Sequence, residues 1–484
     1  MRGTLRLEWT WLIGLLLLCL LFVPARRYSL PITLPFELDL YRALLAGTLG
    51  LWFLSLLSDE RVRVRASGLE GPLILYLVAV SGSLLANADR VSAYQGEAVK
   101  SLFVLASVVL TFYLVVSALR SLEDVEAILA ILVLGSAVVA AFAVIESRTG
   151  WTPFDSLDRY VPILRPIAGD EGALLRDGRF RAAGSAEHPV ALSAMFALVA
   201  PIAVAFAVRR RGSVIWWAAL GLLVIGAVST VSRTAVVMLV TSFAVFCALQ
   251  WREARRFIPL ALVVLACVHL LVPGALGSLR QGLSPSRAIA EQQSLPDSEL
   301  SAGRIADLGP SFEEFSRKPV LGYGAGTRIV VGEKANARLL DNQWLGTLLD
   351  TGIVGVFALA WLFARFVSRL TRASAAAAPA DAVLLVALAC SALAYAVGMF
   401  FFDSFAFIQV TLVLFVVLGA GCALALAPGR IFEALPEPIV APAFVRKRRL
   451  RARIAAAAAI HRERVRAQLE RARDYGVRRR PPEA

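Results

Sequence analysis

Apolar runs of about 20 residues, separated by short polar or charged stretches, recur along the whole chain, and each is long enough to cross a bilayer as a helix. The pattern predicts about twelve spans, near 9–24, 38–57, 70–86, 98–119, 125–146, 188–208, 213–230, 233–250, 256–273, 342–364, 382–402 and 404–427. The expected fold is therefore all-α and polytopic. The first run, "WTWLIGLLLLCLLFV", lacks a clear small-x-small cleavage site, and many spans follow it. It reads as a retained helix, not a secretory signal.

The connections set the orientation. "RVRVR" (61–65), "RRR" (209–211), "REARR" (252–256), Arg365, Arg369 and Arg372 all fall on one side under strict alternation, as does the tail beginning "RKRRLRAR". Short basic loops mark the cytoplasmic side. Arg26 and Arg27 run against this count. Two long loops, 147–187 and 274–341, are then expected to face outward. The second carries Ile305, Leu308, Phe312 and Phe315 at helical spacing and so predicts an amphipathic helix, ending at Pro319 before the glycine-rich "GYGAG". The expected organisation is a membrane domain over 1–427, followed over 428–484 by a Pro-rich hinge and a basic helical tail. That tail reads first as a solvated or lipid-surface helix.

Composition agrees with the pattern. Of 484 residues, 58% are hydrophobic, and the mean hydropathy is +0.70. The net charge of +14 suggests nucleic acid at first sight. The arginines, however, cluster between spans and in the tail, which fits orientation and contact with anionic membrane lipids. The five cysteines, Cys19, Cys247, Cys267, Cys390 and Cys422, all sit in apolar runs without a CxxC pair, so neither a disulfide nor a metal site is indicated. No DxD pair stands out as a metal site. HExxH and P-loop patterns are absent, which argues against zinc hydrolysis and nucleotide-driven transport.

Candidate chemistry lies where the topology gathers polar residues at the outward face. Arg181 precedes the sixth span, Arg233 sits in the tight turn between the seventh and eighth, Arg304 begins the loop helix, and Asp341 and Asn342 open the tenth span. Ionisable groups at such depth are functional candidates. Each has a plainer reading. Arg181 can snorkel to headgroups, Arg304 can cap a solvated helix, and Asp341 can be an N-cap. Arg233 is sharper, because a positive charge in a short outer turn opposes the orientation rule. His188 can be a base or ligand contact. With Pro189 after it, it reads first as an ordinary loop-to-helix junction. His269 and His461 read as structural. On a helical wheel Leu345, Leu348 and Gly352 share the face of Asp341, with Gly355 close by, and Asp350 lies opposite. The two glycines are expected to admit a neighbouring helix. Asp350 is then a structural partner or faces another cavity. Three guanidinium groups around one carboxylate suit a ligand with several negative charges, and at a membrane face a lipid-linked phosphate or diphosphate is the natural candidate. The carboxylate would act as general base on an acceptor hydroxyl while arginine, not a metal, stabilises the leaving diphosphate.

The ordered set "RAAGSAEHP", "STVSRTA", "GRIADLGPSFEEFSRKPVLGYGAGT" and "DNQWLGTLLDTGIVG", spanning roughly 180–356, resembles the O-antigen ligase and O-antigen polymerase superfamily of bacterial membrane glycan transferases. The resemblance implies a C-type glycosyltransferase fold in the inner membrane. It implies transfer of glycan from an undecaprenyl-diphosphate carrier at the periplasmic face, metal-free, without a cofactor, and with inversion. The acceptor is a lipid A-core sugar in ligases or another carrier-linked glycan in polymerases. The family's diphosphate-holding arginines map onto Arg233 and Arg304, and Arg181 matches a basic position. Ligases usually carry His-Asn or His-Ser where this chain has Asp341-Asn342, so the reading leans to a polymerase-like enzyme. Two other classes stay open. One is a flippase for lipid-linked sugar, disfavoured because polar groups concentrate at one face. The other is a scaffold that docks envelope-assembly proteins through the basic tail.

Overall fold

The computed structural model describes residues 9–32, 38–59, 62–167, 175–176, 179–210, 212–251, 255, 258, 308–330 and 335–426. Eleven of the twelve predicted spans are helices there, and the run 256–273 lies almost entirely outside the described residues. The helices are α1 (Trp9–Phe22), α2 (Leu40–Ser58), α3 (Glu70–Ala86), α4 (Ala88–Ala93), α5 (Gln95–Ala118), α6 (Leu122–Thr149), α7 (Leu157–Tyr160), α8 (Pro189–Arg209), α9 (Val214–Ser229), α10 (Arg233–Leu249), α11 (Leu308–Arg317), α12 (Gln343–Ala376), α13 (Pro379–Gly398) and α14 (Ile408–Ala425). Seven of these, α2, α5, α6, α8, α12, α13 and α14, are long and apolar enough to cross a membrane, and α1, α3, α9 and α10 are shorter apolar helices. The chain is a multi-pass, all-α membrane protein. Its described strands are two antiparallel pairs of two residues each, β1 (Tyr28–Ser29) with β2 (Arg165–Pro166) and β3 (Leu175–Arg176) with β4 (Arg179–Phe180). The stretch 428–484 lies outside the described residues.

The spanning helices are mostly apolar all round, which suits burial or lipid contact instead of one wet face. α8 and α14 form the centre, with 94% of their spanning windows buried, whereas α2 is only 28% buried and lies at the rim. α8 packs against α9, α10 and α13. Small residues allow the closest approaches. A Cβ on Gly226 would lie 2.7 Å from the Cβ of Ala140, so α9 and α6 can touch there only without a side chain.

The loops separate onto two faces, as strict alternation requires. On one, β1 pairs with β2, Arg27 meets Asp155 at 2.5 Å, and Arg26 meets Glu187 at 3.2 Å. On the other, Arg209 bridges Glu126 at 2.5 Å and Asp381 at 3.3 Å, and Arg210 joins Glu126 at 3.1 Å. The Arg365 Nε donates to Gly68 O at 2.5 Å on that same side. Among the described residues, the second face therefore carries the basic residues Arg209, Arg210 and Arg365, and the first carries the segments around β1 and β2.

Candidate functional site

The candidate site is built from three segments of the long-loop face. The first begins at Glu146, near the end of α6. Its buried carboxylate accepts from the backbone N–H groups of Ala183 at 2.8 Å and Gly184 at 2.9 Å. This clamp seats the loop before α8 on the turn between α9 and α10, where the Ala182 N–H reaches Ser229 O at 3.4 Å and the Arg181 Nε reaches Thr230 O at 3.4 Å. Arg181 thus leans on the turn that ends at Arg233, the first residue of α10. Val231 in that turn has φ 50, a conformation a β-branched residue adopts only under strain. The half-buried Arg233 stands at a helix N-terminus, where unpaired N–H groups and the dipole already favour an anion.

His188 closes this loop. Its Nδ1 accepts from the Val190 N–H at 3.2 Å and caps α8, and its ring stacks on Phe407 at 5.9 Å. The plainer expectation, a loop-to-helix junction, accounts for these contacts. Through Phe407 the ring also joins the Arg181 loop to the turn between α13 and α14.

That turn carries the second segment. The Gln343 N–H donates to Met399 O at 2.8 Å and to Phe402 O at 3.2 Å, and its Oε1 accepts from the Phe405 N–H at 2.6 Å. The start of α12 is therefore fastened to residues 399–405. Asn342, not Asp341, is the N-cap, its side chain accepting from the Leu345 N–H at 3.1 Å. Asp341 precedes the helix, so the wheel that placed Leu345, Leu348 and Gly352 on its face does not apply. Beside it stands Asp403, outside the spanning helices. Burial pushes its carboxyl up to about 6; the Ala406 N–H and Arg328 oppose the rise, and the Asp341 charge adds to it.

The third segment corrects the expectation for the two glycines. α12 breaks at Gly352, with φ 67, and a backbone loop, not a helix, fills the break. The Ile353 N–H donates to Pro319 O at 2.9 Å, the Tyr323 N–H to Leu349 O at 2.8 Å, and the Gly324 N–H to Asp350 O at 3.2 Å. A Cβ on Gly352 would lie 2.1 Å from Val320 O, whereas one on Gly355 would first meet the helix's own Thr351. From the other side, Asn87 Nδ2 donates to Gly322 O at 3.0 Å, and the Arg90 Nε donates to Thr327 Oγ1 at 3.0 Å. The loop then delivers Arg328, a residue the sequence patterns did not single out. Its side chain is 8% exposed, and Nη1 lies 4.0 Å from Asp350 Oδ1. Asp350 is thus an ion-pair partner, one of the two roles expected of it. The predicted amphipathic helix is α11. Phe315 packs on Leu340, Leu345 and Leu349, holding α11 over the start of α12, while Phe312 is 54% exposed.

The structure joins Arg181 to the Arg233 turn, and joins the His188 loop, through Phe407, to the turn that borders Asp341 and Asn342. Arg304 and Ile305 lie outside the described residues. Glu146, Asp403 and Arg328 complete the arrangement. Nothing periodic in the sequence marks them, because each acts through a partner far along the chain.

A family model described as O-antigen ligase matches residues 218–360. The matched segment runs from α9 into α12 and contains Arg233, Arg304, Asp341 and Asn342; Arg181 and His188 precede it. The match supports the O-antigen ligase and polymerase superfamily that the motifs resemble, and that family implies a membrane glycosyltransferase-like enzyme. No curated protein matches the chain.

Proposed function

We propose that the protein transfers or polymerises glycan from an undecaprenyl-diphosphate-linked donor at the periplasmic face of the bacterial inner membrane. The observation that carries this reading is that Asn342 takes over the capping of α12. The Asp341 carboxylate is thereby not needed as a cap, and it stands on the same face as Arg181 and Arg233. Asp341 would take the proton from an acceptor hydroxyl. The hydroxyl oxygen forms a bond to the donor's anomeric carbon as the bond from that carbon to the diphosphate breaks, with inversion. The carrier diphosphate leaves with the electron pair, and Arg233, Arg304 and Arg181 stabilise its charge. Asn342 and His188 support the geometry through their caps. No step calls for a metal or an organic cofactor. An Asp-Asn pair in place of the ligase His favours a glycan acceptor over lipid A-core.

Incubating the purified protein with a defined undecaprenyl-diphosphate oligosaccharide, with and without lipid A-core, tests this. Longer carrier-linked glycan without lipid A-core supports polymerisation, and product only with lipid A-core supports ligation. Full transfer by both Arg233→Ala and Asp341→Ala would remove the assigned site. Carrier crossing a reconstituted bilayer with no new glycosidic bond would replace the enzyme by a transporter.

A further inference from the structure

A cleft of about 270 Å³ opens beside the Asp341 segment, lined by Pro310, Ser311, Glu313, Glu314, Arg317, Arg328 and Arg338. One of these side chains is unusual. The Arg328 side chain is 8% exposed, its Nε has no hydrogen-bond partner, and the nearest carboxylate oxygen, Asp350 Oδ1, is 4.0 Å from Nη1 and is itself without a hydrogen bond. A buried guanidinium held at that distance from its counter-charge keeps much of its desolvation cost, and a second anion within hydrogen-bond reach would offset it. The other walls differ in kind. Arg317 is engaged by Glu313 at 2.9 Å on the exposed rim, Arg338 is exposed just before Asp341, and Ser311 is buried. The cleft lining therefore combines three guanidinium groups, one of them buried, with two carboxylates and a hydroxyl. Guanidinium donors hold a carboxylate or phosphate, and Glu and Ser accept from ring hydroxyls. A volume just under the ~300 Å³ lower end of small-molecule sites suits one ring, not an oligosaccharide.

We infer that this cleft, through Arg328 and Arg338, binds a sugar bearing an anionic group, a carboxylate or a phosphate. The inference rests on the glycan-transfer reading for its biological meaning and specifies the class of sugar handled next to Asp341. Arg328 is positioned by the loop that fills the α12 break, so the cleft is built before any ligand arrives.

The test measures binding without transfer, using the purified full chain and four probes: methyl β-glucuronide, glucose 6-phosphate, neutral methyl β-glucoside and inorganic phosphate. At least one anionic sugar is expected to bind more tightly than both the neutral glucoside and free phosphate. Arg328→Gln and Arg338→Gln should each weaken that binding about tenfold or more, the loss of a charge-assisted hydrogen bond. Arg338 is exposed, so its variant stays informative if Arg328→Gln does not fold. Equal binding of the neutral glucoside, equal binding of inorganic phosphate, or unchanged affinity in Arg338→Gln would overturn the inference. Intact anionic-sugar binding in a protein that transfers no glycan would count against the enzyme reading and leave the cleft standing. Transfer without such binding would do the reverse.

Discussion

The Ile353 N–H donates to the carbonyl oxygen of Pro319 at 2.9 Å, across the break that Gly352 makes in α12. A spanning helix and an outer loop thus share one hydrogen-bonded unit, and groups that the helix leaves unpaired are satisfied by the loop. Arg328 and Asp350 are set by that unit.

Gly352→Ala should therefore damage the whole assembly. The added Cβ would fall 2.1 Å from Val320 O, at a φ of 67 that disfavours any side chain. A loss of at least ~2 kcal/mol is expected, seen as a lowered thermal midpoint in detergent, together with loss of transfer. Gly47→Ala in α2, with nothing within 4 Å of the new atom, is the control and should not destabilise.

Asp341→Asn should lower the rate of glycan transfer by ~100-fold or more, the usual scale for removing a general base, while Asn342 retains the cap of α12. Near-normal turnover in this variant would move the base elsewhere.

Asp403 makes stability depend on pH. Its carboxyl is pushed from 3.8 up to about 6, so the folded chain holds this proton more tightly than the unfolded one. That contribution is full below 3.8 and is lost as pH rises through about 6. Asp403→Asn should accordingly raise the thermal midpoint at about pH 7.5 by the equivalent of ~1–3 kcal/mol and change little near pH 4. Melting curves at both pH values check this; a gain of the same size at both would show that the effect is not titration of Asp403.

Glu146→Ala removes the acceptor for two backbone N–H groups that seat the Arg181 loop. Because those amides are left partly buried, a loss of about 2 kcal/mol is expected, and KM for the lipid-linked donor should rise more than kcat falls. Steady-state kinetics on the variant separate the two; an unchanged KM would detach the loop from donor binding.

On the opposite face, Arg209→Ala leaves Glu126 and Asp381 without the arginine they share. It should destabilise by roughly 1–3 kcal/mol while leaving KM unaltered, since no long-loop residue takes part. Thermal melts and donor titration, run together, test that separation of faces.

Much of the fold is legible in the chain itself. Uniformly apolar runs leave a span little choice of structure in a bilayer, and α3 occupies the residues its run predicts, 70–86. The candidate site was legible only in part. Arg181, Arg233 and Asp341 stand out as charges beside apolar runs, a signal that requires no partner. Gly352 was misjudged because a glycine among helix formers reads as a close-packing surface, and its positive φ depends on Val320 arriving from the loop. Arg328 gave no signal at all, since the carboxylate it approaches, Asp350, lies on another element. Helical geometry was also extended one residue too far, since Asp341 lies before the cap.

Gln343 has a consequence for finding relatives. Its side chain accepts from the Phe405 N–H and donates to Thr347 Oγ1 at 3.2 Å, while its backbone N–H serves the turn at Met399 and Phe402. Glutamate at this 6% exposed position would bury a charge and forfeit the donor, and a shorter amide would not span the gap. A glutamine two positions after an acid, paired with an aromatic turn 62 residues later, is thus a compact fingerprint.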